Sequence, residues 1–208
     1  MNEKQRKGLM LVLSSPSGAG KTSICKKILN LDNEIKMSIS YTTRTKRKSE
    51  KDSEDYFFIS KEKFEKLKNQ NFFVEYANVF DNWYGTPKKF IEDNLSRGVD
   101  VMFDIDWQGA QKLSEFSKND VVSIFILPPS KKILLDRLRK RAEDSNETVN
   151  KRMSKAKSEI SHWIEYDYVI INQDLDKCSL EVLNILKAER KKRNRQKFIF
   201  DFIEKLLS

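Results

Sequence analysis

The stretch LMLVLSSPSGAGKTSICKKILN, residues 9–30, decides the fold class that we predict for this chain. Its first five residues are apolar, as in a parallel strand that is buried on both faces. A loop of small residues follows, and TSICKKILN, from Thr22 onward, has the pattern of a helix. A strand, a glycine-containing loop and a helix in this order are the context in which a phosphate-binding loop occurs.

The loop departs at one position from the usual pattern G-x-x-x-x-G-K-[ST], because Ser15 stands where the pattern has glycine. Gly18 and Gly20 let the backbone approach an anion closely, and the N–H groups that begin the helix then face it. Lys21 would place a positive charge on the transferred phosphates, and the Thr22 hydroxyl would bind Mg²⁺. The alternative is an ordinary Gly/Ser turn, but Gly-Lys-Thr at a strand-to-helix junction favours a nucleotide site.

Composition narrows the class of protein. The chain has 208 residues, enough for one domain, and a net charge of +9 that suggests an anionic partner: nucleic acid, anionic lipid or small phosphates. No apolar run approaches the roughly 20 residues of a membrane span, and the N-terminus lacks a signal-peptide core. The chain has two cysteines and one histidine, too few for a typical zinc site or a disulfide framework. We therefore expect a protein of the reducing cytoplasm.

Short apolar runs alternate with longer helical patterns, which predicts an α/β fold with a parallel sheet. The predicted strands are 9–14, 36–41, 56–59, 72–80, 99–103, 121–127 and 168–171. Of these, 9–13, 121–127 and 168–171 are apolar on both faces and are predicted to be buried. The run 72–80 alternates more, as in a smaller antiparallel sheet that is partly exposed.

Helix boundaries follow from capping residues. Ser60 and Ser130 are predicted N-caps, and Thr86 is predicted to cap a helix with Pro87 as its first residue and Gly98 at its end. Apolar residues at three- and four-residue spacing over 198–206 predict an amphipathic C-terminal helix. The polar stretches 44–55 and 139–151 are predicted to be mobile insertions.

Three carboxylates stand out in this pattern. Asp104 and Asp106 follow an apolar strand, where an open α/β sheet binds its ligands, and could hold a hydrated Mg²⁺ or a base amino group. The alternative for such a residue is a helix N-cap. Glu75 lies inside FFVEYANVF, where a carboxylate costs free energy unless it is paired, and a base with two neighbouring N–H donors would pair it.

Arginines form a second set of candidates. Arg137 and Arg141 share one helix face, and Arg152 follows them in the sequence. They are either solvated helix charges or a mobile arm that brings cations onto phosphates, as phosphoryl transfer requires. Arg44 and Arg47 come just after Ser40 at the end of a predicted strand.

Taken in order, several segments resemble the guanylate kinase family along nearly the whole chain. They are SSPSGAGKTS, SYTTRTKR, DYFFISKEKFEKL, FFVEYANVFDNWYGTP, VMFDIDWQGAQKL, FILPPSKKILLDRLRKR, NKRMSKA and YVIINQDLD. A small residue at position 15 is compatible with that family's loop. The resemblance implies transfer of a phosphoryl group from ATP to GMP, and also to dGMP, with Mg²⁺, in purine nucleotide metabolism.

The resemblance also implies a P-loop nucleoside monophosphate kinase fold, a parallel-sheet core with helices on both faces. The core would comprise residues 1–39, 89–136 and 161–208. A small mixed GMP-binding subdomain would span 40–88, and a helical lid would span 137–160. Its small-molecule partners would be ATP and GMP, with no nucleic acid and no membrane; the oligomeric state is left open.

The site residues implied by the resemblance fall into three groups. ATP would contact Ser15, Pro16, Ser17, Gly18, Ala19, Gly20, Lys21, Thr22 and Ser23, with Asn172 near its base. GMP would contact Ser40, Arg44, Arg47, Tyr56 and Tyr84 through its phosphate, and Glu75, Thr86, Asp104 and Asp106 around its base. The catalytic residues would be Lys21, Arg44, Arg137, Arg141 and Arg152, with Thr22 as the metal ligand.

The chain departs from the family pattern in its lid, where Lys140 and Ala142 replace glycines, and at Gln173, where an Asp is common. A stiffer or more helical lid turn is therefore predicted. Three other functions fit the sequence less well. Guanylate-kinase-like scaffold modules bind phosphopeptides but typically lack the loop present here; the basic run 187–197 lacks the aromatic residues that stack bases; and a kinase for another small phosphate substrate would not need Glu75 beside Thr86.

Overall fold

Two sheets and eight helices make up the described part of the computed structural model, which covers residues 6–48, 50–79, 81–141 and 146–208. The elements in chain order are β1 (Met10–Ser14), α1 (Lys21–Leu31), β2 (Ile35–Met37), β3 (Tyr41–Thr42), β4 (Phe57–Phe58), α2 (Lys61–Asn69), β5 (Phe73–Val79), β6 (Asn82–Pro87), α3 (Lys88–Ser96), β7 (Asp100–Asp104), α4 (Trp107–Ser117), β8 (Val121–Leu127), α5 (Lys131–Arg141), α6 (Asn146–Ser161), β9 (Tyr168–Ile171), α7 (Leu175–Arg190) and α8 (Ile199–Leu207).

The larger sheet is entirely parallel and has the strand order β2-β7-β1-β8-β9. Strand β1 lies at its centre, and successive side chains point to opposite faces. Leu11 and Leu13 pack with α1 and α7, whereas Met10 and Val12 pack with α3 and α4. Helices on both faces therefore bury this strand completely, as its apolar sequence predicts, and the predicted fold class is confirmed.

Strand β9 differs from the prediction. Residues 168–171 form a strand as predicted, but they lie at the edge of the sheet rather than inside it. Ile170 is buried beside α7, while Val169 and Ile171 are 40% and 53% exposed. The expectation that both faces of this run are buried is therefore wrong, because an edge strand is covered here on one face only.

The smaller sheet has the strand order β4-β3-β6-β5, with antiparallel pairing of β3 with β6 and of β5 with β6. The single strand predicted over 36–41 is wrong. The chain instead contributes β2 to the large sheet, leaves it after Ser38, whose N–H donates to Met102, and enters the small sheet as β3. Strand β6 was not predicted at all. Phe80, at the end of the predicted strand 72–80, lies outside the described residues.

Two of the three predicted N-caps, Ser60 and Ser130, are observed. Each serine hydroxyl accepts a hydrogen bond from the backbone N–H three residues later, which is that of Lys63 for Ser60 and that of Ile133 for Ser130. The prediction for Thr86 is wrong, because this residue belongs to β6 and its hydroxyl donates to a carboxylate; the N-cap is Pro87, and the helix begins one residue later. Gly98, with φ of 77°, follows that helix as predicted.

The two predicted insertions have different structures. Residues 44–48 and 50–55 contain turns and bends with no regular helix or strand. The described part of 139–151 is helical instead, since α5 continues to Arg141 and α6 begins at Asn146. Lys140 is thus helical, while Ala142 lies outside the described residues. The predicted C-terminal helix is α8, whose Phe200, Leu206 and Leu207 are exposed.

Buried ion pairs connect Arg6, near the N-terminus, and Arg190, in α7, to the carboxylate at the start of β7. Asp100, fully buried at the start of β7, accepts hydrogen bonds from both terminal nitrogens of Arg6, from Arg190 Nε and from Leu9 N, at 2.6 to 3.0 Å. Arg190 also pairs with Asp32 at 2.6 Å. No helix in the described ranges is long and apolar enough to cross a bilayer.

Candidate functional site

A cavity of about 790 Å³ opens where β1 and β7 end, between the loop after β1 and the small sheet. Parallel strands present their carboxyl ends at one edge of a sheet, and the ends of neighbouring strands therefore converge there. Of the predicted site residues, those that line this cavity are Ser15, Pro16, Ser17, Gly18, Gly20, Lys21, Thr22, Ser23, Ser40, Tyr56, Glu75, Tyr84, Asp104, Asp106, Arg137 and Asn172.

The loop between β1 and α1 depends on two glycines with left-handed backbone conformation. Gly18 and Gly20 have φ of 89° and 99°, and Gly20 is the N-cap of α1. A Cβ at Gly20 would lie 2.5 Å from Nδ2 of Asn172, so the site excludes a side chain there for steric as well as conformational reasons. The N–H groups at the start of α1 consequently face the cavity, as in an anion-binding loop.

Asn172 contacts the glycine loop and also lines the cavity, as does its neighbour in the loop, Gly20. The Asn172 Nδ2 donates to the carbonyl oxygen of Ala19 at 2.7 Å, and the side chain is buried at the end of β9. Its Oδ1 is buried without a hydrogen-bond partner. The side chain therefore supports the loop from below while also lining the cavity.

Lys21 and Thr22 converge on one carboxylate. Lys21 Nζ lies 2.8 Å from Oδ1 of Asp104 and donates to the carbonyl oxygen of Ile105 at 2.8 Å, and the Thr22 hydroxyl donates to Oδ2 of Asp104 at 2.9 Å. Burial acts to lower the pKa of Lys21, but the neighbouring Asp104 carboxylate raises it on balance. The loop therefore presents a permanent positive charge to the cavity.

The two aspartates after β7 have separate surroundings. Asp106 is the N-cap of α4, and its Oδ1 accepts from Gly109 N at 3.1 Å, so the N-cap interpretation applies to this residue. Asp104 instead contacts Lys21 and Thr22, as described above. Both carboxylates line the cavity. They supply oxygen atoms of the kind that Mg²⁺ prefers.

Glu75, in β5, lies in the wall of the cavity that is opposite the glycine loop. It is only 7% exposed, and its Oε1 accepts a hydrogen bond of 2.5 Å from the Thr86 hydroxyl, directly across the ladder in β6. Burial raises the pKa of the Glu75 carboxyl, and the Thr86 hydrogen bond and the nearby Lys112 only partly offset this effect. A partner with two donors would therefore stabilise the ionised form.

Arg44 lies next to this wall and is held by several groups. Its Nη2 contacts Oε1 of Glu50 at 2.7 Å, and its guanidinium carbon lies 5.5 Å from the ring centre of Tyr56. A hydrogen bond to Glu50 lowers the pKa of that carboxyl. Neither Arg44 nor Arg47 lines the cavity, and the Arg47 side chain is 67% exposed and lies 3.8 Å from Glu50.

The predicted lid contributes one described arginine to the site. Arg137, on α5, donates from Nη1 to the carbonyl oxygen of Ala19 at 3.2 Å. The side chains of Arg141 and Arg152 lie outside the described residues, although their backbones belong to α5 and α6.

Two carboxylates at the site were missed by the sequence analysis. Glu159, on α6, lines the cavity and accepts from Ser17 N, and Glu50 holds Arg44. Glu50 lies only six residues from Arg44, so the second contact is a local one within the same segment. Nothing in the sequence near Glu159 indicates the first, because its partner is 142 residues away.

No cluster of three or more metal-binding side chains of the His, Cys, Asp and Glu types occurs among the residues described. Mg²⁺ is typically bound through one or two protein oxygens together with substrate phosphates and water. The hydroxyl of Thr22 and the carboxylate of Asp104 therefore fit such an ion.

Comparisons with known proteins point to one family. The family model described as Guanylate kinase matches residues 7–189. A guanylate kinase from Paramagnetospirillum magneticum is 53% identical over 97% of this chain and 94% of its own length, and one from Zymomonas mobilis is 52% identical over 98% and 94%. A crystal structure of guanylate kinase from Anaplasma phagocytophilum superimposes with a TM-score of 0.80 at 40% identity, covering 97% of this chain and 96% of that one.

Proposed function

The chain belongs to the guanylate kinase family, and on that premise we propose how its own residues move the γ-phosphoryl group of ATP to GMP. The products are ADP and GDP. One observation carries the assignment of residues: a single cavity has the glycine loop with Lys21 on one side and the buried Glu75 on the other. A triphosphate on the loop and a base at Glu75 would bring the two nucleotides' phosphates together between them.

The donor site is the loop of residues 15–23. The N–H groups at the N-terminus of α1 would bind the phosphates of ATP, and Lys21 would stabilise the negative charge that develops during transfer. In the free enzyme Lys21 is paired with Asp104, so we infer that ATP competes for this cation. Asn172, which holds the loop through Ala19, would lie on the side of the ATP base.

The metal site would consist of Thr22 with Asp104 beside it. Both present oxygen atoms to the cavity, and they already share a hydrogen bond of 2.9 Å. Bound Mg²⁺ would neutralise charge on the phosphates.

The acceptor site would divide between phosphate and base. Arg44, Arg47, Ser40, Tyr56 and Tyr84 would bind the GMP phosphate, whose oxygen is already anionic and needs no general base. Because Arg47 is exposed in the free enzyme, its contact would require movement of the loop that carries it.

Glu75 and Thr86 would read the base, with Asp104 and Asp106 nearby. Guanine offers two adjacent donors, N1–H and the 2-amino group, that one carboxylate can accept together. Thr86 donates its single hydroxyl proton to Glu75 in the free enzyme. Once guanine satisfies Glu75, that proton becomes available to the acceptor O6.

The lid would complete the site on closure. We assign it to residues 137–160, the GMP-binding subdomain to 40–88 and the core to 1–39, 89–136 and 161–208. Closure would add the cations of Arg137, Arg141 and Arg152 to the transferred phosphoryl group and exclude water from it. Excluding water matters because hydrolysis of ATP would compete with transfer.

Further parts of the proposal concern the acceptor range and the location. We propose dGMP as a second acceptor, since no residue assigned to GMP is required to contact the ribose. A cytoplasmic location is supported by Cys25 and Cys178, which are buried and unpaired, as expected in a reducing compartment.

An assay of ADP release with the purified protein tests the proposal. We expect turnover with GMP and dGMP, and little with AMP, CMP or UMP. Chelation of divalent cations should abolish it and Mg²⁺ should restore it. Equal turnover with all five acceptors would contradict the assignment of Glu75, and turnover that persists under chelation would contradict the metal site.

A further inference from the structure

Glu159 makes a hydrogen bond that joins the lid to the phosphate loop. Its Oε2 accepts from the backbone N–H of Ser17 at 3.1 Å. The Glu159 side chain is 13% exposed and lines the nucleotide cavity. This contact therefore lies within the site, yet no step of the reaction described above uses it.

The surroundings of Glu159 keep it in place. One helical turn earlier, Lys155 Nζ lies 3.8 Å from its other oxygen, Oε1. The same helix, α6, packs against α5 through Ala156 and Met153, which contact Leu134 and Leu138. The carboxylate is thus aimed at the loop by a helix with its own apolar contacts.

Both helices of the proposed lid contact the phosphate loop, one through a hydrogen-bond donor and the other through an acceptor. From α5, Arg137 donates to the carbonyl oxygen of Ala19. From α6, Glu159 accepts from the N–H of Ser17. The loop is therefore held on both sides by the segment that would close over it.

We propose that Glu159 is a positioning residue for phosphoryl transfer, which fixes the base of the lid to the phosphate loop. This inference rests on the proposed assignment of the loop and the lid. Glu159 lies near the end of α6, at Ser161, so it belongs to the base of the lid and not to its tip. Position 152 lies two helical turns earlier on the same face of α6. A fixed contact at Glu159 would therefore determine where position 152 is placed when the lid closes.

A different role would be that of a placeholder, in which the carboxylate occupies a phosphate position until ATP displaces it. The two roles depend on different properties of Glu159. A positioning contact depends on the reach of an acceptor oxygen to Ser17 N, whereas a placeholder that repels phosphate depends on negative charge. Gln keeps the reach and removes the charge, and Asp keeps the charge and shortens the reach.

The experiment compares Glu159→Gln, Glu159→Asp and Glu159→Ala with the wild type. We expect Glu159→Gln to retain kcat within a few-fold, and Glu159→Asp and Glu159→Ala to lose about ten-fold or more in kcat. The KM for GMP should change little in all three. Glu115→Ala, at an exposed position on α4, is the matched control and should behave as the wild type.

Amide hydrogen exchange at Ser17, measured without nucleotide, reports the contact independently of activity. Protection should persist in Glu159→Gln and be lost in Glu159→Asp and Glu159→Ala. If Glu159→Ala does not fold, the contrast between Gln and Asp decides. Unchanged kcat in Glu159→Asp, or a lower KM for ATP with unchanged kcat in Glu159→Gln, would overturn the proposal. A wild type inactive on GMP with Ser17 protected would instead refute the proposed function and leave the contact in place.

Discussion

Thr86 and Glu75 lie directly opposite each other in the β5–β6 ladder, and the Thr86 hydroxyl donates to Glu75 Oε1 at 2.5 Å. The pair is buried in the free enzyme, so its geometry exists before a base binds. The Thr86 hydrogen bond offsets part of the free-energy cost of burying the carboxylate, and a ligand that donates further hydrogen bonds to it would offset more. This relationship is the physical basis of the first two predictions.

Selectivity for guanine should depend on Glu75. Adenine presents an acceptor at N1 where guanine presents a donor, so AMP would place a lone pair against the carboxylate and donate no hydrogen bond to it from N1. Sites of this kind discriminate by about 10⁴–10⁵-fold. We expect kcat/KM for GMP to exceed that for AMP strongly in the wild type, and the ratio to fall in Glu75→Gln, whose amide can both donate and accept. A wild-type ratio under tenfold, or an unchanged ratio in Glu75→Gln, would show that another residue reads the base.

The free energy of unfolding of the free enzyme should depend on pH because of the Glu75 carboxyl. Burial raises the folded-state pKa of Glu75 above its ordinary value of 4.5. Stability from the protonated form is fully present below that ordinary value and is lost as the pH rises through the raised folded pKa. Urea unfolding of the wild type and Glu75→Gln, from pH 4 to pH 8, should therefore show the variant gaining relative stability as the pH increases. A difference independent of pH would contradict the raised pKa.

Lys21 should matter for turnover more than for GMP binding, because in the proposed arrangement it would face the donor phosphates and not the acceptor base. Removing one such charge-stabilising group typically costs about 10²–10³-fold in kcat. We expect Lys21→Ala to lose at least that much with a GMP KM within a few-fold of the wild type. Lys26→Ala, exposed on the same helix, serves as the control. Retention of most of the turnover by Lys21→Ala would remove Lys21 from the catalytic set.

Arg44 should require its planar guanidinium. It is held by Glu50 and stacked near Tyr56, so its fork is oriented before the phosphate arrives. Lysine keeps the charge but loses the two parallel donors. We expect Arg44→Lys to raise the KM for GMP about ten-fold and to leave the KM for ATP unchanged. Arg97→Lys, exposed on the surface, should change neither; an equal effect of the two substitutions would indicate a general charge effect.

Asp100 should be important for stability alone. It accepts hydrogen bonds from Arg6, Arg190 and Leu9 N without exposure to solvent. Removing one partner of a buried ion pair typically costs about 3–5 kcal/mol, because the remaining charges stay buried. Asp100→Asn should lower the free energy of unfolding by about this amount in urea, whereas Asp93→Asn, which breaks an exposed pair, should cost less than about 1 kcal/mol. Equal losses would show that the network contributes no more than a surface pair.

Much of the fold could be predicted because its signals are local. The apolar run before Ser14 and the glycines at 18 and 20 indicate a buried strand and a loop with left-handed backbone conformation, and the structure has both. Strand β8 was predicted at its observed bounds for the same reason. Strand β6 was missed because Thr86 and Pro87 also fit a helix start, and only pairing with β5 decides between them.

The candidate site was predicted in its residue types more fully than in its contacts. That Lys21 carries a charge and that Glu75 needs a partner follow from the sequence itself. Their partners, Asp104 and Thr86, depend on which strand lies beside which in the folded sheets. The contact of Glu159 with Ser17 has no local signal, because 142 residues separate them.

Local sequence was therefore enough to predict β1, β8 and the glycine-containing loop that leads into α1, since backbone conformation and side-chain periodicity are properties of neighbouring residues. The tertiary structure adds that β9 is an edge strand, that Asp106 caps a helix while Asp104 contacts Lys21, and that Glu159 accepts a hydrogen bond from Ser17 N. Periodicity reports which side of an element is apolar, but not which distant element covers it. That choice depends on the packing of all the elements together.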